Sequence, residues 1–169
     1  MFTLMTNTLF YISAVIAVIA TVMVITRTNA VHALLYLIVS LLAVAMIFFT
    51  LGAPFVAALE VIIYAGAIMV LFIFVIMMLN LGGQHAKQES QLLTPGIWIG
   101  PSILCIILVE ELFYLLVADR ERITAIAEVT PKQVGIALFG PYVLGVELAS
   151  MLLLAGLVGA YHLGRQHKH

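Results

Sequence analysis

Long apolar runs constrain the fold of this chain more than any other feature. The run from Leu34 to Phe49 is apolar apart from Tyr36 and Ser40, on every face that a helix would have. A membrane-spanning β-strand would alternate apolar and polar residues, so only a helix fits such a run. With 64% hydrophobic and 9% charged residues, the chain also lacks the polar residues that cover a soluble domain. The sequence therefore predicts an all-α, polytopic membrane protein.

Hydropathy predicts five spans, each near the roughly 20 residues needed to cross a bilayer. Their approximate ranges are 9–26, 31–51, 55–79, 97–117 and 134–161, and all 169 residues are expected to form one integral membrane domain. Short connections make the first three helices an antiparallel series. In the last range, Gly140 and Pro141 leave two interpretations open. Either an interfacial segment from Lys132 to Phe139 precedes the true span, or one tilted helix continues through.

The loop charges give a weak prediction of orientation. Arg27, Lys87, Arg165 and Lys168 fall on one side, whereas Arg120, Arg122 and Lys132 on the other are accompanied by acidic residues. Basic residues favour the cytoplasmic side. We therefore expect a multi-pass protein of the bacterial inner membrane with a periplasmic N-terminus and a cytoplasmic C-terminus.

Composition also excludes several kinds of site. The net charge is −1 and no dense basic cluster occurs, which argues against nucleic-acid binding. The single cysteine, Cys105, excludes an internal disulfide or an iron–sulfur cluster held by cysteines of this chain. His32 and His162 lie at predicted helix ends, so haem ligation near the bilayer centre is disfavoured. We expect no cofactor, no metal ion and no complete active site within this chain.

Carboxylates interrupt the apolar spans at four positions: Glu60, Glu110, Glu111 and Glu147. Placing a charge at membrane depth costs roughly 2.5 to 3.5 kcal/mol, so such residues often mark a functional path. Glu60 and Glu147 are our candidates for a polar or proton path, with interhelical hydrogen bonding as the alternative. Glu110 and Glu111 lie close enough to Ala118 to reach headgroup water, and we predict no pumping role for them.

The third predicted span carries a candidate hinge at Tyr64, Ala65 and Gly66. Glycine costs about 1 kcal/mol relative to alanine inside a helix, and its small neighbours offer little bulk to hold the backbone in one register. A π-bulge here would rotate Met69 and Phe72 against neighbouring helices and so open or close a wet path. The alternative is a packing notch, the commoner role of glycine in membrane helices.

Polar and glycine residues within the apolar runs resemble those of a known family, the small membrane subunit J of bacterial NADH-quinone oxidoreductases, which corresponds to mitochondrial chain 6. The resemblance covers nearly the whole chain. It is carried by Asn29 to Leu37, Leu59 to Phe72, Met77 to Gly83, Leu138 to Leu144 and Val146 to Leu154.

This resemblance implies a five-helix subunit of the complex I membrane arm, near the quinone-reducing junction of a proton-pumping respiratory enzyme. FMN, iron–sulfur clusters, NADH and quinone would be bound by partner subunits, and the membrane partners would include the quinone-site and antiporter-like subunits. In the family, the third helix carries a π-bulge at a Tyr-Ala-Gly motif that Tyr64, Ala65 and Gly66 match, and its conversion to plain helix is linked to water continuity. Glu60 matches as a polar neighbour, whereas Glu110 and Glu111 depart from the pattern.

Two other functions stay open at this point. One is the corresponding small subunit of a cation/proton antiporter complex, which would use related helices without NADH chemistry. The other is a haem-bearing anchor of a quinone oxidoreductase. Association with flavin and iron–sulfur subunits would distinguish the first, and an optical spectrum would reveal the second.

Overall fold

The computed structural model describes residues 2–79, 95–118 and 129–164. Within these ranges the regular elements are all helical, which confirms the predicted all-α fold. They are α1 (Phe2–Thr26), α2 (Ala30–Thr50), α3 (Pro54–Leu59), a π-helical segment (Glu60–Ile68), α4 (Met69–Leu79), α5 (Pro95–Ala118), α6 (Pro131–Phe139) and α7 (Val143–Gly164). The elements α3, the π segment and α4 follow one another without a break, and together they are called the third helix.

Among the described residues, five helices are long and apolar enough to cross a membrane, as predicted. Their spans are Asn7–Thr26, Ala30–Thr50, Pro54–Ile76, Trp98–Val117 and Val143–Gly164. Of the two interpretations of the range 134–161, the structure agrees with the one that separates Lys132 to Phe139 from the true span, because α6 ends at Phe139 and Gly140 takes a non-helical conformation with ψ of −104°. Proline disfavours the helical conformation in the residue before it, which explains the break before Pro141.

The charges behind the predicted orientation fall mostly outside the described residues. Lys87, Arg120, Arg122, Arg165 and Lys168 are all in this group. The orientation of the termini therefore stays a prediction.

The chain divides into two compact units, Met1–Glu128 and Val129–His169. In the first unit, α2 contacts α1, all parts of the third helix and α5. Its core is formed by Ile16, Ala20, Tyr36, Val39, Ala43, Met46, Leu108 and Leu115. Ala20 and Ala43 are completely buried, and such small side chains allow the backbones of neighbouring helices to approach closely.

Local caps explain where α2 begins and ends. The Asn29 side chain accepts hydrogen bonds from the Val31 and His32 amides at 3.0 and 3.2 Å, which starts α2. At the other end Gly52 adopts a φ of 81°, which glycine accommodates without strain. The Gly52 and Ala53 amides then donate to the carbonyls of Phe49 and Phe48. This closes a Schellman motif, so the chain reverses directly into α3.

The second unit contains α6 and α7. Thr130 and Gln133 form a reciprocal capping box at the start of α6, with distances of 2.9 and 3.3 Å. No residue of α7 is buried within the described structure. An apolar helix so little covered by its own chain is suited to contact lipid or other subunits.

Candidate functional site: the π-helical segment of the third helix

The π segment occupies Glu60–Ile68, so the predicted departure from α-helical geometry in the third helix is confirmed. At its end the Met69 amide donates to the carbonyl of Tyr64, five residues earlier, in place of the usual four-residue spacing. The predicted hinge residues Tyr64, Ala65 and Gly66 all lie inside the segment. The local sequence permits this because Ala65, Gly66 and Ala67 carry too little side chain to favour one register.

Gly66 fits the widened turn more tightly than its small size suggests. A Cβ atom added at this position would lie 3.2 Å from the carbonyl oxygen of Val61, again five residues earlier. A Cβ added at Gly145, Gly156 or Gly159 would meet no atom within 4 Å beyond the adjacent turns of its own helix. A side chain at Gly66 would require the Val61 carbonyl oxygen to give way slightly.

The two predicted gate residues have different surroundings. Met69, the first residue after the π segment, is only 3% exposed, and α4 packs against α2. Phe72 is 49% exposed and lies one turn further along. Of these two residues, the described part of the chain shields Met69 and leaves about half of Phe72 uncovered.

The polar candidates lie at the surface of the described chain. Glu60 is partly buried and Tyr64 is 47% exposed, one turn apart on the same helix. Glu147 belongs to the second unit, where it is exposed and its carbonyl accepts a hydrogen bond from the Ser150 hydroxyl at 2.7 Å. Carboxyls on membrane helices require water or polar partners.

An apolar cavity of about 270 Å³ borders the π segment within the first unit. It is enclosed by α2, the third helix and α5, and Val61 of the π segment forms part of its wall. The remaining lining residues are Leu42, Ala45, Met46, Phe49, Pro54, Ala57, Ala58, Cys105, Leu108, Val109 and Leu112. Such a lining offers no hydrogen-bonding side chain for a water path, but the space gives apolar side chains room to move beside the hinge.

One polar contact was not expected from the sequence. Glu111, which we predicted to reach headgroup water, is instead buried at 5% exposure, and the Ser13 hydroxyl donates to its Oε2 at 2.7 Å. The prediction was wrong because α5 turns this residue towards α1, whereas its neighbour Glu110 is exposed. A signal was present in α1, where Ser13, Ala17 and Thr21 place small or hydroxyl side chains on one face at four-residue spacing.

Potential metal ligands are dispersed in the described ranges 2–79, 95–118 and 129–164. In these ranges no group of three or more His, Cys, Asp or Glu side chains could hold a metal ion.

Comparison with known proteins gives consistent matches. The profile of the family described as "NADH-ubiquinone/plastoquinone oxidoreductase chain 6" matches residues 20–163. A Pseudomonas aeruginosa protein named "NADH-quinone oxidoreductase subunit J" is 62% identical over 159 residues, which covers 93% of this chain and 95% of the relative. The protein of that name from Escherichia coli strain K12 is 58% identical, covering 94% and 86%. One from Buchnera aphidicola subsp. Schizaphis graminum is 52% identical, covering 94% and 98%.

Proposed function

Because this chain belongs to the NADH-ubiquinone/plastoquinone oxidoreductase chain 6 family and is a membrane subunit of NADH-quinone oxidoreductase, we propose that it couples quinone reduction to proton translocation through its third helix. The observation that carries this proposal is the π segment at Glu60–Ile68. A π turn is less stable than a regular α turn, so it can be converted at low cost when neighbouring contacts change. The antiporter and haem-anchor alternatives are not favoured by the family match.

The proposed movement is a conversion of the π segment to regular α-helix. A π turn holds one residue more than an α turn. Its conversion to α-helix therefore rotates all later residues of the helix by about 100° and shifts them by about 1.5 Å along the axis. Met69 would then leave its shielded position against α2, and Phe72 would turn with it. Tyr64, Ala65 and Gly66 act as the hinge, and Met69 and Phe72 act as the moving gate.

The gate controls whether water is continuous between the quinone region and the proton channels. In the α-helical form the bulky side chains move aside and water can pass, whereas in the π form they interrupt it. Glu60 and Glu147 contribute polar contacts to this path from the subunit surface. The exposure of Glu147 and the partial exposure of Glu60 support the proposal, since a carboxyl that faces a partner can join a path that the partner completes.

The redox chemistry belongs to other chains in this proposal. NADH, FMN, iron–sulfur clusters and quinone are bound by partner subunits, and this chain binds no cofactor. Its membrane partners include the quinone-site and antiporter-like subunits. The complex lies in the bacterial inner membrane, with the N-terminus of this chain periplasmic and the C-terminus cytoplasmic.

Thiol labelling of the gate during turnover tests the proposed movement. Met69→Cys would be introduced into a Cys105→Ser background and treated with a water-soluble maleimide in membranes containing the intact complex. Because the thiolate is the reactive species, a dry thiol labels slowly and a hydrated one labels fast. We expect slow labelling at rest and faster labelling when NADH and quinone are supplied.

Leu115→Cys provides the matched control. Leu115 is 8% exposed, and thus nearly as buried as Met69, but it lies on α5. Its labelling should be unaffected by turnover. If Met69→Cys labels at the same rate with and without NADH in a complex that reduces quinone normally, the proposed gate movement is wrong.

A further inference from the structure

A buried polar pair joins α1 to α5, away from the proposed hinge. The Ser13 hydroxyl donates to Glu111 Oε2 at 2.7 Å, although the two residues are 98 positions apart in the sequence. Ser13 is 0% exposed and Glu111 is 5% exposed. The contact lies within the membrane-spanning parts of both helices, Asn7–Thr26 and Trp98–Val117. This carboxyl is therefore held by the protein interior rather than by water.

The second oxygen of Glu111 is also buried. Oε1 has no hydrogen-bond partner among the described residues, and Oε2 has only the neutral Ser13 hydroxyl. An ionised carboxylate in this position would carry a full charge supported by one neutral donor. The desolvation free energy of such a charge far exceeds the free energy gained from a single hydrogen bond. A protonated carboxyl avoids that desolvation cost.

The other ionisable side chains on the packed helices do not supply a countercharge. Tyr36 of α2 lies against Gly100, eleven residues before Glu111 and hence about 16 Å away along α5. The Arg27 guanidinium lies 5.6 Å from the centre of the Tyr36 ring and the His32 ring lies 5.1 Å from it, so both basic side chains are at that distant end. The remaining ionisable side chains of α1 and α5 that the structure describes are Tyr11, Cys105, Glu110 and Tyr114. All of these are neutral or acidic.

We propose that Glu111 is a proton-binding site within the membrane and that it holds its proton at neutral pH. The neutral carboxyl accepts from Ser13 through Oε2 and carries the proton on Oε1. In this state the pair fixes α1 to α5 without placing a charge in the subunit interior. Loss of the proton would leave an uncompensated charge between the two helices and weaken their contact.

Infrared spectroscopy of the intact complex tests the protonation state, because a protonated carboxyl has a carbonyl stretch well separated from that of a carboxylate. Glu111→Gln keeps the side-chain shape and an oxygen that accepts from Ser13. At neutral pH we expect this variant to lose one carboxylic-acid band. Ser13→Ala should shift the same band to higher frequency, because the carbonyl loses its donor.

Glu110→Gln is the matched control, since it makes the same chemical change at the adjacent, exposed position. It should leave the Glu111 band unchanged. The amount of assembled Glu111→Gln complex should stay within about twofold of the unsubstituted complex, because a neutral hydrogen-bonding group replaces another.

An ionised Glu111 paired with a cation of another subunit would give the opposite results. Glu111→Gln would then leave every carboxylic-acid band in the spectrum. The amount of assembled complex would fall, because a charge of the partner subunit would lose its counterion. That pair of results would overturn the proposal.

Discussion

Gly66→Ala gives the most direct estimate of what the π segment contributes to turnover. The added Cβ would meet the Val61 carbonyl oxygen at 3.2 Å, and the oxygen must move by a few tenths of an ångström to accommodate it. Backbone distortions of about 7° in a bond angle cost about 1 kcal/mol, which sets the size of the effect. The general helix preference of alanine over glycine acts on the π and α forms alike and does not alter their balance.

The substitution should therefore shift the equilibrium towards the α form by about 1 kcal/mol, which is a factor of about five. If turnover requires both forms, quinone reduction and proton uptake should fall together, by up to that factor. The assay is simultaneous measurement of both rates in inverted membrane vesicles supplied with NADH, normalised to the amount of assembled complex.

Gly145→Ala is the control for this experiment. Beyond the adjacent turns of its own helix, its added Cβ would have no atom within 4 Å, so both rates should remain those of the unsubstituted complex. Unchanged quinone reduction and unchanged proton uptake in assembled Gly66→Ala would refute the reasoning. Gly66 would then be a packing residue, and the π geometry would be unrelated to coupling.

Two further predictions concern other parts of the first unit. Gly100→Ala should destabilise the subunit by about 1–3 kcal/mol, because the new Cβ would collide with the Tyr36 hydroxyl, and adding Tyr36→Phe should restore part of the loss. The measurement is the fraction of complex that stays assembled after heating, with Tyr36→Phe alone as the control. Glu60→Gln should lower proton uptake more than quinone reduction if its carboxyl carries protons, and unchanged uptake in vesicles would exclude that role.

The third helix shows how far the sequence could predict the site. The Ala-Gly-Ala sequence signals a weak register, and a family resemblance placed the π turn at Tyr64, Ala65 and Gly66. Neither could reveal the different exposure of Met69 and Phe72, because that depends on which face of α4 packs against α2. Helical periodicity gives the faces of a helix but does not say which neighbour covers each face in a chain that is apolar throughout.

Glu111 was missed for the same physical reason. Its distance along α5 from Ala118 suggested access to headgroup water, and this argument considered only the position of the residue along the helix axis. The rotation of α5 about its axis places Glu111 against Ser13 and leaves Glu110 exposed. A contact between helices so distant in sequence requires the packing of α1, α2 and α5 to be known.

Burial also separates the structural from the movable parts of this subunit. In an 18-residue apolar stretch of α2, 44% of the residues are buried within the described structure, compared with 6% in such a stretch of the third helix. A helix that is close-packed on several sides cannot change register without disrupting its core, so α2 is suited to be the fixed element. The third helix packs against α2 along one side, so its register also depends on what covers its outer face. In the proposed mechanism, a signal from the quinone region would thus act through the partner surface on this helix and change the balance between its π and α forms.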